Sequence, residues 1–168
     1  MRTLVLVLAA FFLTGCYSFR GISIPEGVET AYVPVFQNNA LSAPPSLPLD
    51  ITEALRDKVR DEARLVITDE RPDIEMRGTL VDFRVSAEGA SPGDETAAYS
   101  KLNRLTIVVA IEYTNLSNPE AENWKSNFSE YFDFPGSQTL ASVQDEALEF
   151  ILDNLNEKIF NRAFAGEW

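Results

Sequence analysis

The 168 residues contain no histidine, only one cysteine (Cys16), and few basic residues: 14 Lys+Arg against 26 Asp+Glu. Each shortage removes a class of function. Histidine is the usual general base near neutral pH and the commonest transition-metal ligand, so Ser-His-Asp chemistry and histidine metal sites are excluded. One cysteine cannot build a disulfide framework or a thiolate zinc cluster. A formal net charge of -12 argues against nucleic acid, which is bound chiefly through Lys and Arg neutralising phosphates, and against adhesion to an anionic bilayer by charge. No Gly-rich phosphate loop and no Gly-x-Ser-x-Gly elbow occurs. Acidic residues are plentiful enough to fall in pairs by chance, so a hydrolase built on paired carboxylates has no particular pair to support it. The expectation is a protein that is not an enzyme and holds no metal or cofactor.

Long apolar runs are short of membrane length too. The chain opens Met1-Arg2-Thr3 and runs apolar from Leu4 through Leu13, whereas a spanning helix needs about 20 such residues. One basic residue, a short apolar stretch and a small-residue exit make the layout of a secretory signal peptide. The exit, Leu13-Thr14-Gly15-Cys16, resembles the bacterial lipobox. That resemblance implies a diacylglycerol on the Cys16 thiol, cleavage before it, and an N-acyl chain of the palmitate class on the new amine. A lone cysteine in an exported chain fits acylation better than a free thiol, because cysteines in oxidising compartments normally come in pairs. Two or three acyl chains anchor firmly where one does so marginally. Tyr17 follows the cysteine where an Asp would favour inner-membrane retention, which leans the anchor towards the outer membrane.

Residues 1–15 carry Arg2 and no acid, so the remainder holds 13 Lys+Arg against 26 Asp+Glu, a net charge of -13. A solvated acidic surface is the ordinary meaning of that balance. The rest of the chain is a normal size for one domain with one core. Residues 16–27 read as a lipidated tether ending at Pro25-Glu26-Gly27. A strand is expected over Val28–Phe36, with Pro34 marking an edge or distortion. After a proline-containing loop, Asp50 and Glu53 make a capping-box-like start. Ile51, Leu55, Val59 and Ala63 then recur every fourth residue, the stripe of an amphipathic helix.

Leu65-Val66-Ile67 is a short strand, and Ile74 to Ala87 alternates with a slip in phase. A one-residue slip moves every later side chain to the other face, so a bulge near Leu80-Val81 is expected. Residues 89–100 read as a long hairpin connection. Leu102–Leu116 is the clearest strand, with Leu105, Ile107, Val109, Ile111 and Tyr113 on one face. Trp124, Phe128, Phe132 and Phe134 mark another, and a last helix runs from about Thr139 to Phe164. Phe150, Phe160, Trp124 and Phe128 are expected in the core. The order β-α-β-β-β-β-α predicts an α+β domain over 28–168. It has an antiparallel or mixed sheet of four to five strands, meandering, with two helices packed on one face. Val108, Ala110 and Tyr131 make the other face less polar than solvent usually demands, which suggests that it meets a partner.

Several stretches carry a resemblance. They are Cys16-Tyr17-Ser18-Phe19-Arg20-Gly21, Ser23-Ile24-Pro25, Phe36-Gln37-Asn38-Asn39-Ala40 and Thr52-Glu53-Ala54-Leu55-Arg56-Asp57-Lys58. Further on come Asn103-Arg104-Leu105-Thr106-Ile107, Ser129-Glu130-Tyr131-Phe132-Asp133-Phe134, Ser142-Val143-Gln144-Asp145-Glu146, Ile159-Phe160-Asn161-Arg162-Ala163-Phe164 and Trp168. In order and spacing the chain resembles the lipopolysaccharide-assembly lipoprotein family LptE, in its branch from Bacteroidota-like bacteria. The resemblance implies a non-enzymatic plug and assembly partner inside the outer-membrane β-barrel LptD. It also implies lipopolysaccharide binding through basic residues, for which Lys101 and Arg104 are the candidates nearby. Solvated surface charge is the ordinary reading of both, and phosphate-rich lipid A prefers a more basic partner. Tyr17, Phe19 and Arg20, beside the anchor, are candidates for contact with a partner or with headgroups. The alternative is an envelope lipoprotein that binds a hydrophobic ligand or an envelope polymer, which would need a large apolar cavity. The domain is expected to fold alone as a monomer.

Overall fold

The computed structural model describes residues 22–88, 102–118 and 120–165. In chain order its elements are strands β1 (Thr30–Tyr32) and β2 (Gln37–Asn38), helix α1 (Leu47–Glu62), strands β3 (Val66–Ile67), β4 (Ile74–Glu88), β5 (Leu102–Asn115) and β6 (Trp124–Pro135), and helix α2 (Leu140–Phe164). The sheet runs β3-β1-β4-β5-β6, with β2 also paired to β4. The three long strands form the expected antiparallel meander. The short ones do not: β1 lies parallel to β3 and β4, and β2 parallel to β4. The sheet is therefore mixed, with six strands, and both helices cover one face.

Alternation decides which face the helices cover. On β5, Leu105, Ile107, Val109, Ile111 and Tyr113 are buried, and across the register Phe132, Phe128 and Trp124 of β6 join them. On β4 the core set is Ile74, Met76 and Leu80, then Phe83. The change of phase falls where expected. Leu80 pairs with Val109 and Asp82 with Val108, so Val81 is an extra residue, bulged out and exposed.

A second irregularity, not expected, shapes the other side of β4. From Tyr32, opposite Glu75, to Gln37, opposite Thr79, the chain takes five steps against four. Pro34, which has no amide hydrogen to give a ladder, lies within this stretch. The excess residue turns Phe36 into the core in place of Val35, which is 52% exposed. The Phe36 ring then lies over Gly78, in the volume a Cβ on that glycine would need.

Helix α1 starts earlier than the Asp50–Glu53 pattern indicates. Its N-cap is Ser46, with Pro48 in the first turn and no side-chain cap hydrogen bond. Proline's fixed φ and missing N–H suit a first turn, and this outweighs the local capping pattern. Glu53 pairs instead with Arg56 at 2.6 Å. Ile51, Leu55, Val59 and Ala63 are buried as their spacing requires. Thr52 shares that face. Its Oγ1 accepts the Phe36 N–H at 3.0 Å and donates to the Pro48 carbonyl at 2.6 Å, with no exposed surface. Thr52→Val keeps the shape but leaves the buried Phe36 N–H without its acceptor, while the Pro48 carbonyl keeps its helical partner, so a loss of about 1–3 kcal/mol is expected. Urea unfolding measures it, with Thr52→Ser as the control that retains the bonds.

Helix α2 begins at Leu140 with Thr139 as its cap and buries Val143, Ala147, Ile151, Leu155, Ile159, Phe160 and Phe164. Trp124 and Phe128 are partly buried against the core. Phe150 departs from expectation. It is 48% exposed and meets Phe132 edge-on, with ring centroids 5.7 Å apart. The reason is positional: Phe150 flanks the buried stripe of a helix lying along β6, the last strand of the sheet, so its outer side has no strand beneath it.

The open edge of β6 is partly blocked by its own neighbours. Lys158 of α2 donates to the Ser129 carbonyl at 3.0 Å and pairs with Glu130 at 2.6 Å. The Glu130 carboxylate accepts the Tyr131 N–H. Side chains that occupy edge groups in this way discourage the addition of a foreign strand.

Asp73 closes the turn into β4. Its Oδ2 accepts the Glu29 N–H, the Thr30 N–H and the Thr30 hydroxyl at 2.8–2.9 Å. The Glu29 amide first, then the Thr30 hydroxyl, hold its carboxyl below the ordinary value. A depressed folded value means the contribution is present above the unfolded pKa of about 3.9 and is lost as pH falls through the folded one. In urea melts, Asp73→Asn is therefore expected to be destabilised clearly at pH 7 and much less at pH 3. An equal gap at both pH values would refute the linkage.

Candidate interaction surfaces

The chain presents two faces. One is covered by helices; the other is the open side of the long strands. Among the described residues, no three His, Cys, Asp or Glu side chains stand close enough to hold a metal ion. No helix among them is long and apolar enough to cross a membrane, which says nothing of a β-barrel.

On the open face, positions opposite the core set carry charges in cross-strand and same-strand pairs. Glu112 meets Lys125 across β5 and β6 at 2.8 Å, Arg77 meets Glu75 at 2.9 Å, and Arg84 meets Asp82. Exposed pairs of this kind contribute little stability, so their main effect is a wettable surface with no net field of one sign. Apolar groups lie between them: Val108 and Ala110 are half-buried and Tyr131 is 47% exposed. These three sit on the face where their alternation placed them.

Arg104 belongs to this face and is engaged there. Its Nε and Nη2 donate to the two carboxylate oxygens of Asp133 at 2.7 and 2.8 Å, a bidentate pair. The guanidinium carbon also stands 3.9 Å from the centre of the Tyr131 ring. Hydrogen bonding to Asp133 holds the Arg104 guanidinium above its usual value, and Arg104 in turn holds the Asp133 carboxyl below its own. The remaining residues singled out from sequence (Leu13, Thr14, Gly15, Cys16, Tyr17, Phe19, Arg20 and Lys101) lie outside the described residues, as does the 89–100 connection. Where the chain is first described, Ile22 bridges to Ala165 and the Ser23 N–H donates to the Phe164 carbonyl at 2.6 Å. The end of the tether is thus fastened to the end of α2.

Near the Phe36–Gly78 contact the open face is concave. A hollow of about 750 Å³, open to solvent, lies between the 32–37 segment and the strands, lined by Tyr32, Pro34, Val35, Arg77, Glu112 and Lys125 among others. Sequence reasoning did not find it, since the wall depends on the five-against-four register. Pro34 was the one visible signal of irregularity.

Two helices on one face of a mixed sheet define an α+β domain, and this arrangement recurs among bacterial proteins of solved structure. The hypothetical protein CT253 from Chlamydia trachomatis has a TM-score of 0.52 at 7% identity, over 80% of this chain and 95% of that one. A minor lipoprotein from Acinetobacter baumannii has a TM-score of 0.50 at 8% identity, over 80% and 91%. At such identities the likeness concerns the fold alone. No curated protein matches the sequence. Residues 28–163 match the LptE family, described as lipopolysaccharide-assembly, and the chain belongs to that family.

Proposed function

We propose that this protein is a non-enzymatic lipoprotein of the outer membrane that partners and plugs the LptD barrel during lipopolysaccharide assembly. Family membership over residues 28–163 is the observation that carries the proposal. The Leu13-Thr14-Gly15-Cys16 exit supports a lipid anchor on Cys16 and export through the secretory pathway. An open sheet face that is half apolar and half paired charge suits a protein contact better than a small-ligand site, since ligand sites are mostly enclosed and apolar. The concavity on that face is open and bordered by ion pairs, which weighs against the alternative of a hydrophobic-ligand carrier.

Within this reading, Tyr17, Phe19 and Arg20 meet the headgroups or the barrel beside the anchor. A direct lipopolysaccharide contact would use Arg104 and Lys101. At Arg104 a phosphate would have to displace Asp133, a bidentate and charge-assisted partner. The Bacteroidota-like branch remains part of the proposal and rests on the residue stretches quoted above.

The test is crosslinking in native envelopes followed by affinity purification of the tagged full chain. Recovery of one large β-barrel protein in about equal amount supports the reading. Recovery of the intact, abundant lipoprotein without a barrel sinks it and promotes the ligand-binding alternative.

A further inference from the structure

We propose that the groove between α1 and α2 receives an arginine or lysine side chain, together with its backbone, from an extended segment of a partner protein. The groove has a volume of about 460 Å³ and lies on the helix layer, away from the open sheet face. Helix α1 lines it with Asp57, Asp61 and Glu62, and α2 with Asp153, Asn156 and Glu157. Lys58 is the cation among the lining residues, and it is already taken, bridging Glu62 and Glu157 at 2.6 Å each. Arg60, outside that lining, meets Asp57 and Asp61 at 2.7 and 3.0 Å. Asp153 makes no ion pair among the described residues. The local balance stays negative.

Asn156 supplies the second observation. It is 3% exposed, lines the groove, and neither its amide oxygen nor its amide nitrogen has a hydrogen-bond partner. A buried amide left unpaired destabilises a fold, and a leucine here would suit the neighbouring Leu155 and Ile159. Its presence is explained if something docks that offers both a donor and an acceptor. A metal cation would engage only the amide oxygen and a polyamine would offer donors only, and no acidic cluster among the described residues is arranged for a metal ion. An extended peptide offers a backbone N–H and C=O to Asn156 while its basic side chain meets Asp153 and the carboxylates around it. This deepens the partner reading above and rests on it for the identity of the partner, not for the chemistry of the groove.

The experiment places a photocrosslinking residue at Asn154, on the groove, and separately at Ser129, on the open sheet face. Both are made in the full chain and irradiated in native envelopes, and the crosslinked peptides are identified by mass spectrometry. The expected result is an Asn154 crosslink to a peptide carrying Arg or Lys. Asp153→Lys should lower its yield at least tenfold while the Ser129 crosslink is unchanged. Asn156→Leu should also lower the groove yield, yet raise the melting temperature of the purified full chain in detergent by about 3 °C. A lower melting temperature for Asn156→Leu would show the amide to be satisfied within the fold and would overturn the proposal. So would a groove crosslink to lipid alone, or one indifferent to Asp153→Lys. A barrel found by the Ser129 probe and absent at Asn154 sinks this inference and leaves the barrel reading standing. A basic peptide from a different protein at Asn154 does the reverse.

Discussion

Gly78→Ala is expected to destabilise the domain by about 1–3 kcal/mol, the range of an overpacked core, and Gly78→Val by more. The new Cβ would overlap the Phe36 ring, which is buried in the core at 3% exposure. The far end of a ring can usually swing aside. Here the Phe36 N–H is tied to Thr52 and the Val33 carbonyl accepts from Arg56 at 2.8 Å, so the backbone that carries the ring is held at two points. The signature is rescue. Phe36→Leu alone should lose roughly 1 kcal/mol, yet in the Gly78→Ala background it should recover part of the loss, a coupling that urea melts of the four proteins would read. A Gly78→Ala chain as stable as wild type would mean the ring does not occupy that volume. The hollow beside it should change as well, since Val35 lines it only because Phe36 turns inward.

The proposed lipid on Cys16 predicts the second large effect, on location rather than stability. Burial of an acyl chain is worth about 0.8 kcal/mol per CH₂, and one chain alone binds only marginally. Two or three chains therefore account for nearly all of the attachment to the bilayer itself, as distinct from any contact with a barrel. The body without them carries a net charge of -13 and gains nothing from an anionic bilayer. With Cys16→Ala placed behind the leader of a soluble secreted protein, and both purified chains mixed with lipid vesicles that contain no barrel, the vesicle-bound share of the variant is expected to be at least tenfold lower than that of the unaltered chain. Retention of the variant at wild-type level would put the anchor elsewhere. Mass spectrometry of the N-terminal peptide from the unaltered chain provides the direct check, reading two or three acyl chains on Cys16.

Where the fold could be read from sequence, the signal was local. The alternation in Leu102–Asn115 and the four-residue spacing in α1 each need only neighbours along the chain, and both survive in the structure. The bulge at Val81 was readable because the slip occurs within one strand. What could not be read depends on residues far apart. The parallel pairing of β1 with β3 joins Thr30 to Val66 across the whole of α1. The early start of α1 was missed because a capping pattern at Asp50 and Glu53 outranked a proline two residues upstream. Phe36 stands in a recognisable stretch of sequence, but its place over Gly78 follows from a register that neither segment contains by itself. The interaction surface divides the same way. Arg104 was visible as a basic residue, while its partner Asp133 lies 29 residues away and meets it only through the β5–β6 register.

The bridge from Ile22 to Ala165 also sets a height. Six peptide steps separate Cys16 from Ile22, a leash of at most about 20 Å when fully drawn out. The leash is tied at the end of the molecule where Arg162 lies over Trp124 and α2 finishes. Arg104 sits nine residues along β5 from Tyr113, the register partner of Trp124, which is about 30 Å further on at strand rise. When the domain stands on its tied end, the Arg104–Asp133–Tyr131 cluster is held well clear of the leaflet that the proposed lipid on Cys16 would enter. A lipid of that same leaflet could meet the cluster only if the domain tipped off its tied end.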